Sequence, residues 1–161
     1  MMCAMCTRDP ESHSFVQLTT FGDKTVFYTN VGRNKDIAEL EAIVGHMAEY
    51  LEPLKTRGAG WIWIVDCRGF TARHAGALGV ATTVSRVIRD RYADLLYGTY
   101  ILNANSAVNG LVTALMPLFA REAAERMQWL RGSPLELYVE FQKKGWAAHE
   151  VAPLIQELRR E

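Results

Sequence analysis

The chain has 161 residues, 49% of them hydrophobic and 22% charged. At ~150 residues per domain this is one folded unit, and the proportions exclude a disordered, collagenous or coiled-coil protein. Lys+Arg and Asp+Glu both total 18, so the formal net charge is zero, which leaves no overall positive excess to hold a nucleic acid nonspecifically.

The charge is unevenly spread. Residues 1–54 carry four basic and eight acidic side chains, residues 55–91 seven basic and two acidic. Arg86, Arg89 and Arg91 crowd one short stretch. They read either as a solvated helix face or as a patch for anionic lipid headgroups, at ~1 kcal/mol per cation near a membrane surface. The first dozen residues read as a tail, with the domain over 13–161. Met1 to Met5 lacks the charged and then apolar pattern of a secretion signal, and three cysteines, Cys3, Cys6 and Cys67, are an odd count. A reducing, cytoplasmic compartment is expected. Cys3 and Cys6 form a Cys-x-x-Cys without the second pair that a zinc site requires.

Two alternating runs, 15–20 and 25–31, flank Gly22-Asp23 and predict a β-hairpin, with glycine at the first central position of a type II′ turn. Asp36 and Glu39 have capping-box spacing, after which Ile37, Leu40, Ile43, Val44, Met47, Leu51 and Leu54 recur at helical intervals. Gly58 and Gly60 break that helix. Residues 61–65 are apolar on both faces, as an interior strand covered on two sides must be, and Asp66 closes the run. A second helix is predicted over 73–92, with Val80, Val84, Val87 and Ile88 inward, then a strand over 99–102. Helix and strand in alternation imply right-handed crossovers and parallel pairing, hence an α/β fold with a mixed, mainly parallel sheet and helices packed on it. A polar helix over 121–128, a short strand near Trp129, a helix opened by Ser133-Pro134 and an amphipathic helix through Val151, Leu154, Ile155 and Leu158 complete the chain.

Signatures of catalysis are missing. Gly58, Gly60, Gly69, Gly76 and Gly79 match neither the dinucleotide nor the nucleotide phosphate loop, and no Gly-x-Ser-x-Gly elbow occurs. His13, His46, His74 and His149 are scattered. Asp66 lies at the carboxyl end of a central strand, where α/β proteins place functional groups; a carboxylate that caps the following loop is the equal alternative.

Residues 95–120 contain no charged side chain. The span is long enough to cross a bilayer by count, but Gly98, Asn103, Asn105, Asn109, Gly110 and Pro117 interrupt it, and it divides into a strand and a helix over 106–119. In that helix Val108, Leu111, Val112, Leu115, Met116 and Phe119 form one apolar stripe. The opposite side offers only Ser106, Asn109, Gly110 and Thr113, polar yet uncharged. Complete burial would tolerate this composition. So would a lid over an apolar cavity, bending at Gly110 and Pro117.

Several segments then fall in a recognisable order. Residues 61–70 end in Asp66-Cys67-Arg68-Gly69-Phe70; Tyr92-Ala93-Asp94-Leu95-Leu96 and Tyr100-Ile101-Leu102-Asn103-Ala104 follow; the uncharged helix leads into Met116-Pro117-Leu118-Phe119. From about 61 to 132 the chain resembles the CRAL-TRIO lipid-binding domain family, with its central strand ending in Asp-x-x-Gly, its Tyr-Pro-Glu-Arg-Leu segment, its Tyr-Ile-Ile-Asn-Ala strand and its gate helix before Lys-Pro-Phe-Leu. The resemblance implies a concave sheet face and a gate helix that enclose one hydrophobic ligand, often a phospholipid, with no cofactor and no covalent step. It implies ligand contacts from Trp61, Trp63, Tyr100, Leu102, Val108, Leu111, Val112, Leu115, Met116 and Phe119, and transient contact with a membrane surface. Asp94 and Arg126 keep the charge signs of the glutamate and lysine that contact the headgroup in phosphatidylinositol-binding members, and Arg126 offers a fork of donors to a phosphate.

The departures point to a minimal or divergent member. Trp61 and Trp63 stand where the phosphatidylinositol binders carry small hydroxyl residues, and Ala93 and Asn105 replace prolines. The alternative reading keeps the fold and fills the cavity with the two indoles, leaving a protein-interaction module of the small-GTPase-regulator type, or an STAS-like one. The STAS type relies on a hydroxyl that Arg73-His74-Ala75-Gly76 lacks.

Overall fold

The computed structural model describes residues 15–33, 40–75 and 78–160. The Cys3 and Cys6 tail, His13 and the Asp36 and Glu39 capping box lie outside the described residues. Strands β1 (Val16–Phe21) and β2 (Lys24–Asn30) pair antiparallel through a two-residue turn. Gly22 takes φ +59° and Asp23 stays at negative φ, the sign pattern of a type II′ turn. From β2 onward, β3 (Trp61–Asp66), β4 (Leu96–Leu102) and β5 (Met127–Leu130) add in chain order, each parallel to the last.

Parallel neighbours need crossover connections. Helix α1 (Leu40–Arg57) leads to β3, α2 (Ala72–Ala75) and α3 (Leu78–Val87) lead to β4, and α4 (Ser106–Leu115) and α5 (Arg121–Glu125) lead to β5. All three steps move the same way across the sheet, so right-handed crossovers put these helices on one face. The last two helices, α6 (Pro134–Lys143) and α7 (Ala148–Arg159), cover the other. Ser133 caps α6 by accepting from the Glu136 N–H at 3.3 Å, while Glu136 accepts from the Ser133 N–H.

The strands' period of two sorts side chains between these layers. Val26, Tyr28, Ile62, Ile64, Tyr100 and Leu102 pack with Leu137, Phe141, Trp146, Val151 and Leu154 of the α6/α7 side. Trp146 stacks on Phe21 at 4.5 Å and meets Phe141 edge-on at 5.0 Å. On the other face, Phe27, Thr29, Trp63, Val65, Thr99 and Ile101 turn toward α1, α3 and α4.

Asp66 settles into the structural one of its two alternatives. Its side chain is fully buried, and its carboxylate accepts from Tyr28 Oη at 2.5 Å, Asn30 Nδ2 at 3.2 Å, Arg68 Nη2 at 2.7 Å and the Arg68 backbone N–H at 3.1 Å. Arg68 in turn donates to the Leu158 carbonyl and, at 3.0 Å, to that of Glu157. One ion pair thus caps the loop after β3 and ties it to the carbonyl end of α7, where a cation is favoured. Burial, and then the neighbouring Asp66 carboxylate, push the Tyr28 hydroxyl well above its ordinary pKa. The same loop presses on Gly32, where an added Cβ would meet the Arg68 carbonyl oxygen at 2.5 Å.

Element boundaries differ from the sequence expectations in informative ways. Within the helix predicted over 73–92, α2 and α3 lie on either side of residues 76–77, which are outside the described residues, and α3 runs on as a π-helical turn, Ile88–Tyr92. β4 begins at Leu96 instead of residue 99, and a bulge opposite Trp61 absorbs the additional, exposed Tyr97. The helix predicted over 106–119 ends at Leu115 because Pro117 has no N–H to continue it, and Met116–Leu118 winds as a 3-10 turn. The helix predicted over 121–128 stops at Glu125, and Met127 already belongs to β5.

Candidate functional site

Between the sheet and the crossover helices lies a cavity of about 230 Å³. Trp63, Val65, Thr99 and Ile101 form its floor, Ile43, His46 and Met47 of α1 one side, Val80, Ala81, Val84 and Ser85 of α3 another, and Leu111, Val112 and Leu115 of α4 its roof. Its polar atoms are mostly engaged. Trp63 Nε1 donates to Thr29 Oγ1 at 2.9 Å, so the indole offers its apolar ring to the space. His46 Nε2 bonds the Phe15 carbonyl at 2.7 Å. Among the described residues, Arg89 is the one lining residue with a permanent charge. Its side chain, 38% exposed, stands at the rim.

Of the residues expected to contact a ligand, Trp63, Leu111, Val112, Leu115 and Phe119 meet around this cavity. Trp61 shares the face of Trp63 but is packed below it, 1% exposed among Phe15, Phe27, Leu51 and Leu54, with Nε1 donating to the Tyr92 carbonyl at 3.1 Å. The two indoles therefore leave the space open. Tyr100 and Leu102 belong to the opposite layer, because Thr99 and Ile101 hold the cavity side of β4 and residues one apart point to opposite faces. Val108 packs with Cys67, Phe70 and Ile101 beneath the amino end of α4. Burial pushes the Cys67 thiol up to about 12, with Asp66 adding to the shift, which makes it inert. Met116 is 41% exposed on the outside of the 3-10 turn.

Neither headgroup candidate is part of the cavity wall. Asp94 is exposed in a 3-10 turn, Ala93–Leu95, whose neighbours Ala93 and Leu96 face inward. Arg126 follows α5 and spends Nη1 on the Leu96 carbonyl at 2.9 Å. The sequence reading missed Arg89 as a cavity residue, although Ala81, Ser85 and Arg89 lie four apart and extend the inward face of α3 to its end.

The two ends of α4 are held differently. Asn105 caps its start by accepting from the Val108 N–H at 3.1 Å, and Asn105 Nδ2 donates to the Phe70 carbonyl at 2.9 Å, fixing the helix to the loop after β3. The carboxyl half meets the cavity through Leu111, Val112 and Leu115 and ends in the Pro117 turn. Among the described residues no group of three or more His, Cys, Asp or Glu side chains gathers to hold a metal ion. No helix among them is long and apolar enough to cross a membrane.

Comparison with known proteins identifies the architecture. The family model described as the divergent CRAL/TRIO domain matches residues 23–146. The chain belongs to this family. Its members bind lipids or other small hydrophobic ligands and are generally non-catalytic. Among solved structures, that of Sfh5 superposes with a TM-score of 0.62 at 13% identity, over 80% of this chain and 51% of that one. The likeness is one of fold, and the chain spans about half the length of that structure. No curated protein sequence matches.

Proposed function

We propose that this CRAL-TRIO domain shelters one small hydrophobic molecule in the cavity beneath α4, that α4 is the gate, and that the chain carries or senses this molecule without catalysis. The observation that carries the reading is the pairing of an uncharged helix with an apolar cavity of about 230 Å³. Every methylene that leaves a bilayer for water costs ~0.8 kcal/mol, so extraction of a chain requires a dry replacement surface. Leu111, Val112, Leu115, Trp63 and Ile101 supply one. The volume bounds the guest: it exceeds the ~150 Å³ that takes up benzene and falls below the ~300–1,000 Å³ of common ligand pockets. A two-chain phospholipid is too large for it.

The unequal anchoring of α4 supports its role as the gate, with Asn105 as the fixed end and Pro117 as the yielding one. Transient contact of the Arg86, Arg89 and Arg91 flank with an anionic membrane belongs to the same reading, as does a cytoplasmic location. The test is organic extraction of the purified chain followed by mass spectrometry, with uptake of fluorescent single-chain lipids in parallel. Recovery or uptake of a hydrophobe is expected. An empty extract together with no uptake would overturn the carrier and leave the protein-interaction module.

A further inference from the structure

The cavity is mainly apolar; Thr29, His46, Ser85 and Thr99 also line it. Among the described residues Arg89 is the single permanently charged one in the wall, and it lies in the π-helical turn that extends α3. Such turns are frequent at functional sites. Nε of Arg89 donates to Asp90 at 2.8 Å, in a pair whose side chains are 38% and 60% exposed, and exposed pairs of this kind are weakly held. Among the described residues, its two Nη groups have no hydrogen-bond partner. The local field is positive: Asp90 is held below its ordinary pKa by the Arg89 hydrogen bond, with Arg86 and Arg91 adding to the effect. One carboxylate is thus set against three nearby guanidinium groups, of which Arg89 lines the cavity.

From this juxtaposition of a one-chain apolar cavity with a half-exposed guanidinium at its rim, we infer that the ligand is a single-chain lipid with an anionic head, its chain beneath α4 and its carboxylate or phosphate on the Nη fork of Arg89. The inference rests on the ligand-binding reading and adds the headgroup to it. A planar guanidinium presents two parallel donors that match the paired oxygens of either anion, whereas a neutral alcohol offers one uncharged oxygen. Arg126 differs from Arg89 in that it is not part of the cavity wall and its Nη1 is held by the Leu96 carbonyl at 2.9 Å.

The experiment titrates the full chain, at low salt, with decanoate, decyl phosphate and decanol, which share a chain and differ in the head. It is repeated on Arg89→Gln and on Leu111→Trp, a cavity-filling control. At least one anion is expected to bind about tenfold more tightly than decanol to the unaltered chain, and whichever anion binds best identifies the head. Arg89→Gln should erase the preference, bringing the anions down to the level of decanol, its fold verified by circular dichroism. Leu111→Trp should abolish binding of all three. Equal binding of anions and alcohol, or an anion preference that survives Arg89→Gln, would overturn the headgroup assignment and keep the carrier. Failure of all three to bind the unaltered chain would overturn both.

Discussion

The two faces of one sheet are built for different ends. Beneath α6 and α7, Tyr100, Phe141, Trp146 and Phe21 interlock with ring centroids 4.5 to 5.9 Å apart, and the buried Asp66–Arg68 pair fastens α7 to the end of β3. Beneath α3 and α4 the same strands present Trp63, Val65, Thr99 and Ile101 to empty space. Native interiors pack as densely as organic crystals, so an unfilled volume of this size costs dispersion contacts that the other face retains. The difference teaches how one sheet can serve two layers: one face holds the fold, while the other leaves the volume that the proposed ligand would occupy.

The sharpest way to break that division is to truncate one side chain on each face. Phe141→Ala should cost ~3–5 kcal/mol in denaturant unfolding, and Leu111→Ala at most ~1 kcal/mol, because Leu111 already borders a void. Losses of equal size would show the faces to be alike. The ion pair comes next. Arg68→Met leaves Asp66 buried without its cation and should cost ~3 kcal/mol, measured in the same way; a loss below ~1 kcal/mol would mean that Tyr28 and Asn30 suffice.

Enlarging a side chain should act with opposite sign on the two faces. Leu137→Phe overpacks the solid layer and should destabilise by ~1–3 kcal/mol, whereas Val112→Phe fills the hollow one and should raise stability by ~0.5–1 kcal/mol while abolishing uptake of a hydrophobe. The smallest effect concerns the hairpin's attachment to α7. Glu150 accepts from the Gly22 N–H at 2.9 Å and from the Ala147 N–H at 2.9 Å, and these two bonds, Gly22 first, hold its pKa below the ordinary value. A carboxyl with a lowered folded pKa contributes stability that is fully present above ~4.3, the unfolded value, and is lost as the pH falls through the folded one. Acid titration of Glu150→Gln should therefore lie below the unaltered chain near neutrality and converge with it in acid; parallel curves would remove Glu150 from the account.

Sequence pattern carried the layers and the strand order because periods of 2 and 3.6 report faces directly: the doubly apolar run at 61–65 announced a central strand, and the uncharged stripe from Val108 to Phe119 announced a helix that avoids water. Where pattern failed, either a contact distant in sequence or local backbone chemistry decided. The bulge at Trp61 and Tyr97 moved the start of β4, and Pro117 shortened α4 because it has no N–H to donate. Tyr100 and Leu102 look as suitable for a ligand as Thr99 and Ile101, since apolarity cannot say which side of a doubly covered strand is hollow. Asp66 could not be assigned before Arg68, Tyr28 and Asn30 converged on it from a neighbouring strand and a loop. Arg89 was legible as part of a basic cluster, and its spacing of four from Ser85 pointed inward, but charge alone does not separate a cavity rim from a solvated helix face.

The most direct measurement is a crystal structure of the chain soaked with decanol, examined between Trp63 and α4. The account predicts elongated density along Val65, Ile101, Leu111 and Val112, with α6 and α7 unmoved. An α4 collapsed onto Trp63, with no volume left between them and no density, would contradict it.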